Sequence, residues 1–278
     1  MMRSTSRSWK AARAEARIKM ADFLISTQSY RHEYDSQVEI PTQFAYLVKT
    51  DFQGNQCTLT IPTPTENPNG ERIKTGLRGL HVWDGKIYVA SWNAIHIIDA
   101  NTFEYAGSFS HPLMSDLHGI SVEDRAIWVT SSLIDSLLEF DHDHELRSVL
   151  TFTDTKLYPR SLREQIDLSA DYRLRGKIKD GFSSFHTNNV TVYGEDTLLV
   201  TGRGEGHAAG KVLWVDRNTL DFKIWIKKLL GPHDGLLLDD EHFAVTETNN
   251  ASVAIFKIRR CWGARLLKRF ELRKDDGE

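Results

Sequence analysis

Along most of the chain, short runs of β-branched, aromatic and leucine residues alternate with polar ones, and Gly, Asp or Asn interrupts them at short intervals. That alternation predicts half-buried β-strands bounded by tight turns. Four segments repeat one plan: LHVWDGKIYVASWNAIHIIDANTFEYAGSF from Leu80, LHGISVEDRAIWVTSSLIDSLLEFDHDHELRSVLTF from Leu117, FHTNNVTVYGEDTLLVTGRGEGHAAGKVLWVDRNTLDFKIWI from Phe185 and GPHDGLLLDDEHFAVTETNNASVAIFK from Gly231, continued by LLKRFEL. Each opens with an apolar residue or proline followed by histidine. Each turns at an acidic residue or glycine, as at Asp84-Gly85, Glu123-Asp124, Gly194-Glu195 and Asp239-Asp240. A second strand then ends Val89-Ala90, Val129-Thr130, Val200-Thr201 or Val245-Thr246, and a third and fourth strand close the unit.

Units of about 40 residues with four strands each are the mark of β-propeller blades, because one blade cannot bury both its faces alone. Residues 21–62 hold three further strand candidates and predict a degenerate blade. The expected fold is all-β: a single propeller domain over residues 21–278 with five four-stranded blades, or six if the irregular parts hide another. Residues 62–74, rich in proline, predict a surface loop. Residues 154–184 interrupt the repeat with mixed charge and no strand pattern, and predict one or two short helices. They read either as a lid over one propeller face or as a passive excursion.

The stretches GPHDGLLLDDEHFAVTETNNASVAIF and DLHGISVEDRAIWVTSSLIDSLLEFD resemble NHL-type propeller repeats, and are similar to lactonase-like and streptogramin-lyase-like propellers. The resemblance covers roughly residues 75–260. It implies the fold, while activity must be argued from the site. The order Asp-x-His, insertion, x-His-x-Asn and Pro-His is also similar to that of a propeller-like domain family of uncharacterised function. The lactonase-like resemblance would imply a Ca²⁺ hydrolase, but histidines are poor calcium ligands.

First strands of blades line the central channel and run the same way. His81, His118, His186 and His233 open four of them, so four imidazoles are expected to converge near one end of the axis. Neutral imidazoles suit Zn, Fe, Cu or Ni. Asp116, Asp234 and Glu247 lie on or beside the same strands as outer-shell acceptors. A four-histidine site is similar in geometry, without a shared motif, to the iron site of carotenoid-cleaving oxygenase propellers. Iron is therefore the expected metal, with zinc or another divalent ion also compatible. The same histidines read alternatively as a metal-free catalytic or ligand site, or as a structural ring in a wet channel. Glu247, Asn188 and Asp234 are the candidate catalytic residues, and Arg203 and Glu205 follow a second strand at a turn able to approach the axis. The expected function is a metal-dependent enzyme acting on a small molecule, by oxidative cleavage or hydroxylation, or by elimination. The alternative is a non-catalytic scaffold that presents one face to a protein or other ligand.

Composition narrows this only modestly. The chain has 278 residues, 40% of them hydrophobic, a formal net charge of −3 and a pI near 6.4, which gives no electrostatic case for nucleic acid. Cys57 and Cys261 make no disulfide framework, and no apolar run is long enough to span a membrane. Residues 1–20 carry six basic residues against Glu15 and lack an apolar segment of the secretory kind. They read as a solvated alanine-rich helix or frayed tail, with a transit peptide as the other option. A cytoplasmic location is the expectation.

Overall fold

A computed structural model describes residues 22–26, 44–51, 54–62, 76–152, 166–174, 185–206, 208–259 and 263–272. The expected basic tail and most of the 154–184 insertion fall outside them. Strands β1 (Asp22–Ser26), β2 (Phe44–Asp51) and β3 (Gln56–Pro62) form a three-stranded sheet. Four antiparallel meanders of four strands follow. The first is β4 (Leu80–Trp83), β5 (Lys86–Ala90), β6 (Ile95–Asp99) and β7 (Tyr105–Phe109). The second is β8 (Leu117–Val122), β9 (Ile127–Ser131), β10 (Ser136–Phe140) and β11 (Leu146–Thr151). The third is β12 (Thr187–Tyr193), β13 (Thr197–Gly202), β14 (Gly210–Asp216) and β15 (Phe222–Leu229). The fourth is β16 (Pro232–Leu237), β17 (His242–Glu247), β18 (Ser252–Ile258) and β19 (Ala264–Glu271).

The fold is thus all-β and propeller-like, with four complete blades where five or six were expected. The predicted fifth, over residues 21–62, is a three-stranded sheet. No described helix is longer than a single 3-10 turn, so the predicted helical insertion is corrected over its described part, which holds only the turn Tyr172–Leu174. That part is docked: Tyr172 is buried between the first two blades, and its amide donates to Pro112 O at 2.8 Å. No described helix is long and apolar enough to cross a membrane.

The alternating pattern explains the stacking. Ala45, Leu47 and Ile61 of the three-stranded sheet pack on Ile87, Val89 and Ile98 of the first blade. Leu117, Val129 and Leu138 of the second blade meet Tyr88, Ile95 and Ile97 of the first. Trp128, Phe152, Phe185 and Leu213 fill the gap between second and third blades, and Trp225, Phe243 and Phe256 the gap between third and fourth. Each fully buried large apolar side chain contributes about 1.5–3 kcal/mol, and these face-to-face contacts hold the blades together.

Toward the axis the packing changes character, because inner strands approach backbone to backbone. A Cβ on Gly79 would lie 2.5 Å from His118 O, and one on Gly119 would lie 2.7 Å from Asn189 Cα. Neither obstacle is a flexible side chain that can move aside. Gly119→Ala should therefore wedge the second and third blades apart and destabilise the protein by about 1–3 kcal/mol. Urea denaturation of the variant beside the wild type measures this, and an unchanged midpoint would refute the close approach.

Candidate functional site

The strand register defines which residues of different blades are equivalent. Val89, Val129, Val200 and Val245, the repeated valines of the second strands, pair with Leu80, Ile120, Val190 and Gly235. Two residues before those partners stand Arg78, His118, Asn188 and His233. Four residues before stand Gly76, Asp116, His186 and Gly231. His118 and His233 therefore share one position, as the sequence suggested. His186 reaches the same neighbourhood from the earlier one. His81 holds neither: it lies one residue past Leu80 on regular strand, an odd offset that turns a side chain to the opposite face. Its ring hydrogen-bonds the backbone of Val122, and burial lowers its pKa. The expected fourth imidazole is thus not brought to the cluster, and Arg78 occupies its place.

The inner strands of the second, third and fourth blades all carry a bulge at this level, between Leu117 and Ile120, Thr187 and Asn189, and Pro232 and Gly235. A bulge sets two residues against one and re-aims a side chain. It also frees an amide. Gly119 N donates to Thr130 Oγ1 at 2.7 Å and Asp234 N to Thr246 Oγ1 at 2.9 Å, so the recurrent Val-Thr ending supplies the hydroxyl that the bulge requires. Just before it, the chain turns left-handed in every blade: Gly76, Asp116, His186 and Gly231 have φ of 121°, 52°, 50° and 63°. Glycine adopts this readily, but Asp and His do so at some conformational cost. The two blades that forgo glycine place a carboxylate and an imidazole there.

These two features assemble one cluster. The His118 ring centroid is 5.1 Å from that of His186 and 5.1 Å from that of His233. One ligand atom each of Asp116, His118 and His186 lies within 4.8 Å of the others. Asp116 and His118 are buried, while 39% of the His233 side chain is exposed. Arg78 Nη1 donates to Asp116 Oδ1 and, at 3.2 Å, to Leu117 O, and its guanidinium sits 5.5 Å from the Trp92 ring centroid. Burial alone would raise the Asp116 carboxyl, but His118 and Arg78 outweigh it and hold it well below the usual carboxylate range. Burial drives His118 the other way, down to about 4, against the opposing pull of Asp116. His118 is therefore neutral near pH 7. Its one polar neighbour among the described residues is the Asp116 carboxylate, whose Oδ1 lies 3.5 Å from Nε2, too long for a well-formed hydrogen bond; Nδ1 has no described partner.

The candidate catalytic residues separate. Asn188 is buried; its Nδ2 donates to Pro232 O at 2.9 Å, which fixes the backbone beside His233, and its Oδ1 has no partner among the described residues. Asp234 is exposed, with Oδ2 3.9 Å from His233 Nδ1. Glu247 is fully buried and engaged: it accepts from Arg269, from Ser252 Oγ at 3.2 Å and from Leu230 N at 3.0 Å. Those bonds staple the start of the fourth blade to its outer strand. The apolar–His pair that opens each repeat in the sequence does not point to Arg78, which is followed by Gly79 and lies ahead of the Leu80-His81 pair. Anchoring on the second-strand valine brings Arg78 into line with His118 and His233. A cavity of about 410 Å³ opens beside the cluster, lined by His186, Arg203, Gly204, Glu205, Gly206 and Asn249.

Two imidazoles and a carboxylate form a donor set that first-row divalent ions accept. Donors sharing one tetrahedral ion at about 2.1 Å stand about 3.4 Å apart, so this cluster fits after closing by roughly an ångström. The low His118 pKa fixes a pH window. Its folded value lies below the unfolded value of 6.5, so the unfolded chain takes up the proton first as pH falls. The metal-free protein should keep this contribution above pH 6.5 and lose on the order of 3 kcal/mol between pH 6.5 and 4. Urea unfolding across that window, compared with His118→Asn, measures it; parallel slopes for the two proteins would contradict the assignment.

No family model matches the chain and no curated protein matches its sequence, so neither carries the NHL-type or lactonase-like resemblance to a family. Solved structures do match. A protein of unknown function from Bacteroides caccae aligns with TM-score 0.56 and 10% identity, over 90% of this chain and 73% of its own. Virginiamycin B lyase from Staphylococcus aureus aligns with TM-score 0.51 and 11% identity, over 91% of this chain and 75% of its own. A catalytically inactive histidine-to-alanine variant of that lyase, solved with quinupristin, aligns with TM-score 0.51 and 11% identity over 81% of this chain and 66% of its own. At these identities the likeness establishes the architecture, and the chain shares the β-propeller fold of these proteins.

Proposed function

We propose that this protein is a small-molecule enzyme whose reaction centre is the cluster of Asp116, His118, His186 and His233, with a first-row divalent ion as cofactor. The observation that carries the reading is His118: a buried neutral imidazole with no well-formed hydrogen bond to any described residue, set between two further imidazoles and a carboxylate. Each unsatisfied buried nitrogen costs about 1–3 kcal/mol, and an ion ligand removes one such cost. Asp116, His118 and His186 would hold the ion, and iron and zinc both suit that set. Bound there, it would supply Lewis-acid polarisation of a substrate oxygen.

The chain's own groups then divide the work. Arg78 holds the Asp116 carboxylate in its ionised form and fixes its direction. His233, part-exposed at the edge of the cluster, is the group placed to take a proton from a substrate carbon. Asn188 positions it through Pro232 O. The chemistry that best fits a polarised oxygen beside a base is elimination: the C–H proton passes to His233, the C–H electron pair becomes a new carbon–carbon double bond, and the leaving group on the adjacent carbon departs with the electron pair of its own bond. The fold shared with a lyase, which loses activity in a histidine-to-alanine variant, supports this choice over hydroxylation.

The scaffold reading keeps one supporting observation. Leu236, Leu238, Leu266, Leu267, Phe270 and Leu272, all on the fourth blade or its flanks, are exposed. The two readings differ in what histidine replacement does. Untagged protein should carry close to one transition-metal ion per chain by elemental analysis. His118→Ala and His186→Ala should each lose it, while His81→Ala should retain it. Adding ion at 100 times its Kd to chelator-treated protein should stabilise it by about 2.7 kcal/mol. Protein that stays metal-free and gains no stability from added iron or zinc would falsify the metal-enzyme reading.

A further inference from the structure

The cavity beside the cluster holds two opposite charges that do not neutralise each other. Arg203 and Glu205 both line it and both are exposed, yet neither makes an ion pair or a side-chain hydrogen bond with any described residue. They stand two residues apart in the stretch GRGEG, and the backbone there is held by its glycines. A Cβ on Gly202 would lie 2.3 Å from the Phe185 ring, and one on Gly204, at φ 67°, would lie 2.5 Å from Ala209 O. The loop is also tied to the cluster. Arg203 N donates to His186 O at 3.1 Å and Gly204 N to Phe185 O at 2.8 Å, so the arginine begins one backbone hydrogen bond from a cluster histidine. Asn249 closes the cavity from the fourth blade, adding a neutral amide that both donates and accepts.

A guanidinium offers a planar fork that matches a carboxylate, and a carboxylate beside it matches an ammonium group. A cavity that presents both, separately, complements a ligand carrying both. We infer that the substrate is a small dipolar molecule of the amino-acid class, with a free carboxylate and a free amine. Its carboxylate is taken by Arg203, its amine by Glu205 and its remaining polar group by Asn249. The orientation, with the reacting part toward His186, rests on the cluster being the reaction centre; the binding itself does not.

The test is saturation-transfer NMR and calorimetry on the full chain, with glycine, leucine and phenylalanine as probes, each as the free amino acid, the N-acetyl derivative and the amide. Protein is treated with chelator, so that the result is independent of any ion. The free forms should bind about tenfold more tightly than either blocked form, the loss expected for one charge-assisted contact. Arg203→Gln should erase the preference for a free carboxylate and Arg203→Lys should keep part of it; Glu205→Gln should erase the preference for a free amine. Equal binding of blocked and free probes, an unchanged ranking in both neutral variants, or no binding at millimolar concentrations overturns the inference. Selective binding in a protein that takes up no metal would instead keep this ligand class and remove the metal-enzyme reading.

Discussion

The site depends on one constraint, a histidine ring buried near the propeller axis whose nitrogens make no well-formed hydrogen bond with any described residue. A polar group withdrawn from water needs a partner, and among the described residues His118 has only the Asp116 carboxylate, 3.5 Å from Nε2. Burial keeps the ring neutral, so its lone pair stays available, and the adjacent Asp116 is kept charged by Arg78. Neutral donor, fixed anion and neighbouring imidazoles meet between walls of β-sheet. Packing between blades holds those walls in place, and the close glycine contacts of the inner strands set how near they approach.

The local devices are simple and repeated. A bulge in the inner strand aims His118, Asn188 and His233, and a threonine from the neighbouring strand covers the amide freed beside it in two blades. A left-handed residue just upstream starts each blade. Where that residue is glycine the position only turns the chain. Where it is Asp116 or His186 it also delivers a functional side chain. The third blade adds the GRGEG loop, which joins the cluster to the cavity through a single hydrogen bond to His186 O. Glu247, by contrast, spends all its polar capacity on holding the fourth blade together.

Much of this was legible in the sequence. The alternating pattern and the repeated Val-Ala or Val-Thr endings located all sixteen strands of the complete blades, and the shared position of His118 and His233 followed from them. The failures have physical causes. A bulge adds a residue without any sign in hydrophobic alternation, so His81 looked equivalent to His118 while lying three positions from that slot, and Arg78, which fills it, was overlooked. His186 joins the cluster through backbone handedness, which side-chain periodicity does not encode. Residues 21–62 read as a degenerate blade with three strand candidates, and the structure has those three strands; only the count of four-stranded blades was too high. Glu247 looked reactive because a carboxylate after a second strand can face either the axis or the outer strand; Arg269, distant in sequence, decides it.

The most direct test of the central claim is anomalous diffraction from crystals of untagged protein, recorded on both sides of the iron and zinc absorption edges. The account predicts one anomalous peak within bonding distance of Asp116, His118 and His186, about 2.0–2.2 Å from each donor atom, with His233 beside it and Arg78 still on Asp116. Density for water alone between those three residues, at both edges and in protein supplied with either metal, would contradict it.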